Sequence, residues 1–509
     1  MKDRLTLFEN AIVHTVDDSH PRARWFTVLG DRFQRVGSGP PPEVKNRVDL
    51  QKKCIVPGFV DSHIHFYQTG LDLRFIDLSD TTCIDQMAAT LHSEVKGKRS
   101  WIFAHSFEED RLSDTERVTR HDLDRLYPDR PVWINRVDYH SAVVNSVALR
   151  HLEIPGGMRG LMCDGNTPNG ILRADAYLFG KAAAAKRYPM ETKDKAVRAA
   201  AERCVSRGIT AVHALEGGAL FGDEGVAMML RKMESIPLDV TIFLQEKSVY
   251  FSTKLGFEHL GGCILIDGSI GSYTAALYED YRDSPGVRGL MYEKSRPFFA
   301  FVEEAHATGV QLAFHAIGPR AIDLVLEAYA RALHKVPSYD RRHRIEHFEL
   351  ATDEQISRAV DLGVVVAMQP AFEYMWGGPK GMYANRLGPA WRQTNRLRTI
   401  LEAGVPIAGG SDANVTPPDP LLGMHAAVNH PNDEQRIDAK QALRMMTLDA
   451  AYAAFNERRH GSIVPGKEAS FVVLSDDPLR IAKRRIRDIE VEETWYRGKR
   501  VFQNAAHAS

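Results

Sequence analysis

Between residues 208 and 413 the sequence repeats one unit: a short apolar run, a loop, then a stretch with helical spacing of apolar residues. "GVQLAFHAIG" is followed by "PRAIDLVLEAYARAL", and other apolar runs open at "GITAVHA", "RRHRIEHFEL", "LGVVVAMQP" and "GVPIAGGSDA". Runs too short for helices, alternating with helical periods, describe strands buried on both faces and covered by crossover helices. The rhythm predicts an α/β fold with a parallel sheet or a (β/α)8 barrel of the TIM type. The barrel is preferred because the residues able to carry chemistry fall where these strands end.

Both ends of the chain read differently. "LTLFENAIVHTV", "RWFTVLG" and "RFQRVG" near the start, and "GSIVPGKEASFVVLSDD" and "IEVEETWYRGKRVF" near the finish, alternate apolar and polar positions between turn signals. That pattern predicts small antiparallel sheet, with segments 1–56 and 456–509 forming one β-sandwich around a central region, 57–455. Over 140 residues separate His65 from the next barrel-type strand. A span of that length is too great for one crossover and predicts an inserted α/β subdomain at about 71–207, with strands at "WIFAHS" and "PVWINR". The stretch 371–391, "AFEYMWGGPKGMYANRLGPAW", is long, aromatic and glycine-rich, a candidate lid or pocket wall.

Charge and cysteine content narrow the partners. Lys and Arg total 65 against 66 Asp and Glu among 509 residues, so no basic surplus exists to draw nucleic acid or an anionic membrane. A small-molecule substrate is expected. Five scattered cysteines do not form a disulfide framework, and the chain has neither a signal-peptide pattern nor 18 uninterrupted apolar residues. A cytoplasmic location is expected.

The residues able to carry chemistry begin with "IVPGFVDSHIH". Side chains alternate along a strand, so His63 and His65 share a face and can hold one ion from a rigid element; a pair of hydrogen-bonded core histidines fits equally well. His315 ends "VQLAFH", His347 ends "HRIEH" and Asp412 follows "VPIAGGSD". In a βα barrel these strand ends meet at one mouth, which favours the metal reading. Tyr67, Phe372, Tyr374 and Trp376 are candidates for an aromatic substrate pocket, with core packing as the alternative. Asp267 and Ser269 are expected to build a turn, and Glu346, on the opposite strand face from His347, to be a structural partner.

The motifs "PGFVDSHIH", "RPVWINRVDYHSAVVNSVAL", "DGSIGSYTAAL", "HAIG", "RIEH", "GGSDA", "DPLLGMHAAV" and "GSIVPGKEASFVVL" together resemble the amidohydrolase superfamily, most closely its family 3, YtcJ-like branch. The resemblance implies a (β/α)8 barrel with a β-sandwich from both ends and metal-dependent hydrolysis of amide or other C–N bonds. It implies that His63 and His65 ligate one ion, His315 and His347 a second, and that Asp412 ligates the first ion and handles protons. It places His140 where it can hydrogen-bond a substrate carbonyl, with a packing role in the inserted subdomain as the alternative, and it admits a homodimer.

Two departures stand out. Four residues before "DGS", where the family commonly has a carboxylated lysine bridging two metals, this chain has Cys263. Two dications about 3.5 Å apart repel by roughly 19 kcal/mol at an effective dielectric of about 20, so an anion is needed between them. A thiolate supplies that charge and favours zinc, which makes Cys263 a candidate bridge; an inert buried cysteine beside a single ion is the alternative. One or two Zn2+ per chain are therefore expected. The second departure is Pro319 after "HAIG", where aspartate is frequent.

The expected reaction is hydrolysis of an amide or related C–N bond in a small, partly apolar or aromatic molecule. Metal-activated hydroxide attacks, and Asp412 acts as general base and then acid. A mononuclear deaminase or decarboxylase on the same scaffold, and a non-catalytic metal-binding protein, are the alternatives.

Overall fold

In the computed structural model eight strands stand side by side in chain order. They are β1 (Phe59–Ile64), β2 (Ile209–Glu216), β3 (Asp239–Leu244), β4 (His259–Leu265), β5 (Gln311–Ala316), β6 (Arg344–His347), β7 (Val365–Met368) and β8 (Ile407–Gly409). Every neighbouring pair is parallel. The structure describes residues 5–95, 100–112, 117–218 and 222–507, so the first four and last two residues of the expected β-sandwich segments lie outside the described residues.

Closure of the barrel runs through the segment just after β8. Ile64 bridges Ala413 in parallel, the Asp412 amide donates to the His63 carbonyl at 2.7 Å, and the His65 amide to that of Ala413 at 2.6 Å. The seam that shuts the barrel is therefore built from the residues that the sequence marks for chemistry. The outer layer follows from periodicity: in the helix Pro319–Lys335, Ile322, Val325, Leu326, Tyr329 and Ala332 form one buried stripe. Pro319 occupies the first turn of that helix, where its missing N–H costs no hydrogen bond.

Strand β4 carries a local irregularity with a functional consequence. Gly261 and Gly262 both have positive φ, 97° and 86°, and the pairing with β5 slips between Gly261 and Leu265. Such a bulge changes which way the following side chain points, and here it turns Cys263 towards His63. A Cβ on Gly261 would lie 1.9 Å from the Ala313 carbonyl oxygen. Gly261→Ala is accordingly expected to cost more than about 1 kcal/mol in a denaturant titration, since both the left-handed backbone and the space refuse a side chain.

Between β1 and β2 lies a six-stranded sheet that includes the strands read from the sequence, Ile102–Phe107 and Val132–Arg136. Met87, Leu91, Ile134 and Phe107 give it a core of its own. Strands from the two chain ends share another sheet: Cys54–Pro57 pairs with Ile12–His14 on one side and with Phe471–Leu474 on the other. Phe8, Phe26, Phe33 and Phe471 pack between this sheet and its four-stranded neighbour. Among the described residues no helix is long and apolar enough to cross a membrane.

Candidate metal centre

Six side chains from β1 and the residue after it, from β4, β5 and β6, and from the segment after β8 converge inside the barrel mouth. The Nε2 atoms of His63 and His65 lie 3.2 and 3.1 Å from Asp412 Oδ1. Cys263 Sγ is 3.6 and 3.7 Å from the same two nitrogens. The His347 ring centre is 4.8 Å from that of His63 and 4.4 Å from that of His315. His347 and Asp412 both have left-handed backbone, with φ of 72° and 55°, and this sets the direction of their side chains at the strand ends.

Hydrogen bonding sorts the two nitrogens of each imidazole. The Nδ1 atoms of His63, His65 and His347 meet Glu346 Oε2 at 2.6 Å, the Leu215 carbonyl at 3.1 Å and Gln369 Oε1 at 2.7 Å. His315 is reversed, its Nε2 meeting the Gly268 carbonyl at 3.2 Å. Each ring donates outward to an oxygen and keeps its second nitrogen for the centre. His315 Nδ1 and His347 Nε2 are buried with no hydrogen-bond partner, a costly state unless something else engages them. Two donor groups lie within 4.8 Å internally, His63 with His65 and Asp412, and His63 with Cys263 and His347. This donor set fits a divalent ion: nitrogen, sulfur and carboxylate donors facing inward, each imidazole oriented from behind.

Partners not assigned a role by the sequence hold this arrangement. Glu346 does not point away from the site: it and Arg344 both face the lumen, where Glu346 accepts two bonds of 2.8 Å from the Arg344 guanidinium as well as the one from His63. Glu346 is thus a structural partner, but of a metal-site histidine. Asp61, two residues before His63 and so on the same strand face, accepts from the Ser411 amide at 2.9 Å and the Ser411 hydroxyl at 2.5 Å. It ties the segment carrying Asp412 to β1. Asp267 does more than build a turn, accepting from the amides of Ala276, Ile317 and Gly318 and so joining the loops after β4 and β5.

Above the convergence lies a narrow cavity of about 40 Å³. Among its walls are His140, His315, His347, Phe372, Trp376 and Asp412. Stretch 371–391 supplies part of the wall through short helices, Ala371–Trp376 and Met382–Leu387. Phe372 lies nearly parallel to His347 at 6.1 Å, and Trp376 meets Phe372 edge-on at 5.0 Å. Tyr67 is not on this wall; its ring packs against Gly225 in the core. Tyr374 is half-exposed and bonds Arg487 instead. The His140 ring is 5.5 Å from that of His315.

The charges in the centre hold one another. Burial opposes the imidazolium form of His63 and His65, but the anions Asp412 and Cys263 outweigh it, raising His63 well above its ordinary value and His65 to about 9. Burial likewise opposes the thiolate of Cys263 and the carboxylate of Asp412, yet the facing imidazoles bring both well below their ordinary values. Without an ion, the imidazolium form of both histidines is thus favoured by the facing anions. An entering cation must displace the extra protons, so zinc affinity is expected to rise with pH, the His65 contribution levelling off at about 9, by about tenfold per unit for each proton released. Competition against a chromophoric chelator at several pH values checks this; flat affinity below pH 9 would contradict it.

Comparison with known proteins agrees with this geometry. Residues 47–502 match the model of the amidohydrolase family. "Putative amidohydrolase YtcJ" of Bacillus subtilis is 30% identical over 507 residues, covering 91% of this chain and 92% of that protein. The N-substituted formamide deformylase of Arthrobacter pascens is 25% identical over 553 residues, covering 98% of each. Among solved structures, an uncharacterized metal-dependent hydrolase from Pyrococcus furiosus superposes with a TM-score of 0.74 at 24% identity, over 94% of this chain and 100% of that one, a likeness of fold. With a family match over nearly the whole length and a barrel mouth that gathers His, Cys and Asp donors, the chain belongs to the amidohydrolase family of metal-dependent hydrolases acting on C–N bonds.

Proposed function

We propose that this chain hydrolyses an amide or related C–N bond in a small molecule bearing an apolar or aromatic group. The reading rests on one observation above others: four imidazoles, each bonded outward through one nitrogen, turn the other towards Cys263 and Asp412. In this reading His63, His65 and Asp412 would hold one zinc ion and His315 and His347 a second, with the Cys263 thiolate supplying negative charge to the pair. His63 has one inward nitrogen and so serves one ion, which leaves Cys263, His315 and His347 as the donors for a second. When bound, such ions supply Lewis acidity and lower the pKa of coordinated water towards about 7.

The chain's own groups divide the remaining work. Asp412, kept ionised by the imidazoles beside it, accepts a proton from the attacking water and delivers it to the leaving nitrogen. His140, next to His315 in the cavity wall, donates a hydrogen bond to the substrate carbonyl. Phe372 and Trp376 exclude water and pack the substituent. The likeness to a formamide deformylase supports a small acyl group, in keeping with the small cavity. Balanced charge supports a small-molecule partner rather than nucleic acid, and scattered free cysteines support a cytoplasmic setting.

The test is removal and return of zinc with a panel of amides, ureas and esters. Activity lost on chelation and restored by zinc is the expected result. Tight zinc binding with no turnover across the panel would favour the non-catalytic reading, and activity indifferent to chelation would contradict the proposal.

A further inference from the structure

The walls of the cavity above the ion site carry few groups able to receive a negative charge. Apart from the imidazoles, the lining side chains with N–H or O–H groups are Arg136, Ser269, Trp376 and Tyr383. Each is already committed to a carboxylate. Arg136 gives 2.8 Å to Asp110 and 2.9 Å to Asp138, with Glu109 at 3.8 Å. Ser269 donates to Asp138 at 2.6 Å, Trp376 to Glu108 at 2.7 Å and Tyr383 to Glu349 at 2.7 Å.

The consequence is a wall on which, apart from the imidazoles, every donor side chain is already paired with a carboxylate. Asp138 is itself satisfied, also accepting from Ser272 at 2.6 Å, so it has no reason to release Arg136. A substrate carboxylate entering here would have to break one of these ion-supported bonds or remain unpaired in a buried space, and either course is costly. It would also face Asp138 and Glu349, both on the lining. The aromatic pair Phe372 and Trp376, whose indole N–H is taken, offers ring faces and edges. The faces suit hydrocarbon and repel anions.

We infer that this site selects an uncharged amide: the group beside the scissile bond is apolar or aromatic and carries no carboxylate, so N-acyl amino acids are rejected. The inference rests on the proposed hydrolysis and specifies its substrate class. Arg136, which in isolation looks like an anchor for an acidic substrate, acts instead to hold Asp138 and the loop of Ser269 in place.

A matched pair of compounds differing only in the carboxylate tests this: N-formyl-2-phenylethylamine and N-formylphenylalanine, given to the zinc-loaded full-length chain. The expected kcat/KM for the neutral amide exceeds that for the acid by at least about 100-fold, the scale on which buried unpaired polar groups discriminate. Equal rates, or a preference for the acid, would overturn the inference. Calorimetric titration of both compounds separates failure of the substrate class from failure of the hydrolytic reading. Should neither compound turn over, binding of the neutral amide alone upholds the class, whereas binding of the acid, or of neither, overturns it. In Asp138→Asn, Arg136 is partly released and the preference is expected to fall at least about tenfold. An unchanged preference in a folded variant would show that the committed guanidinium is not its source, and would count against the inference.

Discussion

Asp412→Asn is expected to lower kcat by about 1,000-fold or more, the range of a lost general base, with a much smaller change in KM. The amide keeps one oxygen for an ion but cannot accept a proton. Zinc content should consequently fall far less than activity, and comparing the two separates loss of the base from loss of the ion. Asp61 holds the neighbouring Ser411, so the segment stays anchored when Asp412 changes. A variant retaining activity within tenfold of the parent would remove Asp412 from the reaction.

Cys263→Ala carries the second large expectation: zinc content falls from two ions to one and kcat/KM by at least about 100-fold. The reasoning is electrostatic. Without an anion between them, two dications about 3.5 Å apart face a repulsion of roughly 19 kcal/mol at a dielectric of about 20, more than the remaining ligands are expected to overcome. Cys263 is 5% exposed and touches mostly small or apolar neighbours on its other sides, so an alanine fits there sterically. Retention of two ions and full activity would mark Cys263 as an inert core cysteine.

Much of this centre was legible because strand periodicity and strand-end position are local properties. His63 and His65 share a face by alternation alone, and His315 sits at a strand end that the barrel topology brings to the same mouth. What alternation missed is instructive. Glu346 and His347 are adjacent yet both reach His63, because the backbone turns left-handed at His347 and ends the strand's alternation there. Asp61 was readable in principle, two residues from His63 on the same face, but its partner Ser411 lies 350 positions away. The pairing of His347 with Gln369 is likewise a contact between strands, invisible along the chain.

The aromatic assignments divide for a similar reason. Phe372 and Trp376 are four residues apart on one short helix and reach the cavity together. Tyr67 begins only two residues after His65, but the helix Phe66–Asp72 carries it to the core side. The βα rhythm showed the barrel because each unit repeats the same pattern, whereas the strand order of the inserted sheet depends on contacts between distant segments.

X-ray absorption at the zinc edge of the loaded chain tests the central claim most directly, since it reads the atoms bound to the ion. A sulfur neighbour at about 2.3 Å together with nitrogen or oxygen at about 2.0–2.1 Å, the sulfur disappearing in Cys263→Ala, is the result expected. A shell of nitrogen and oxygen alone, unaltered by substitution of Cys263 or of His63, would place the ion elsewhere and contradict the account.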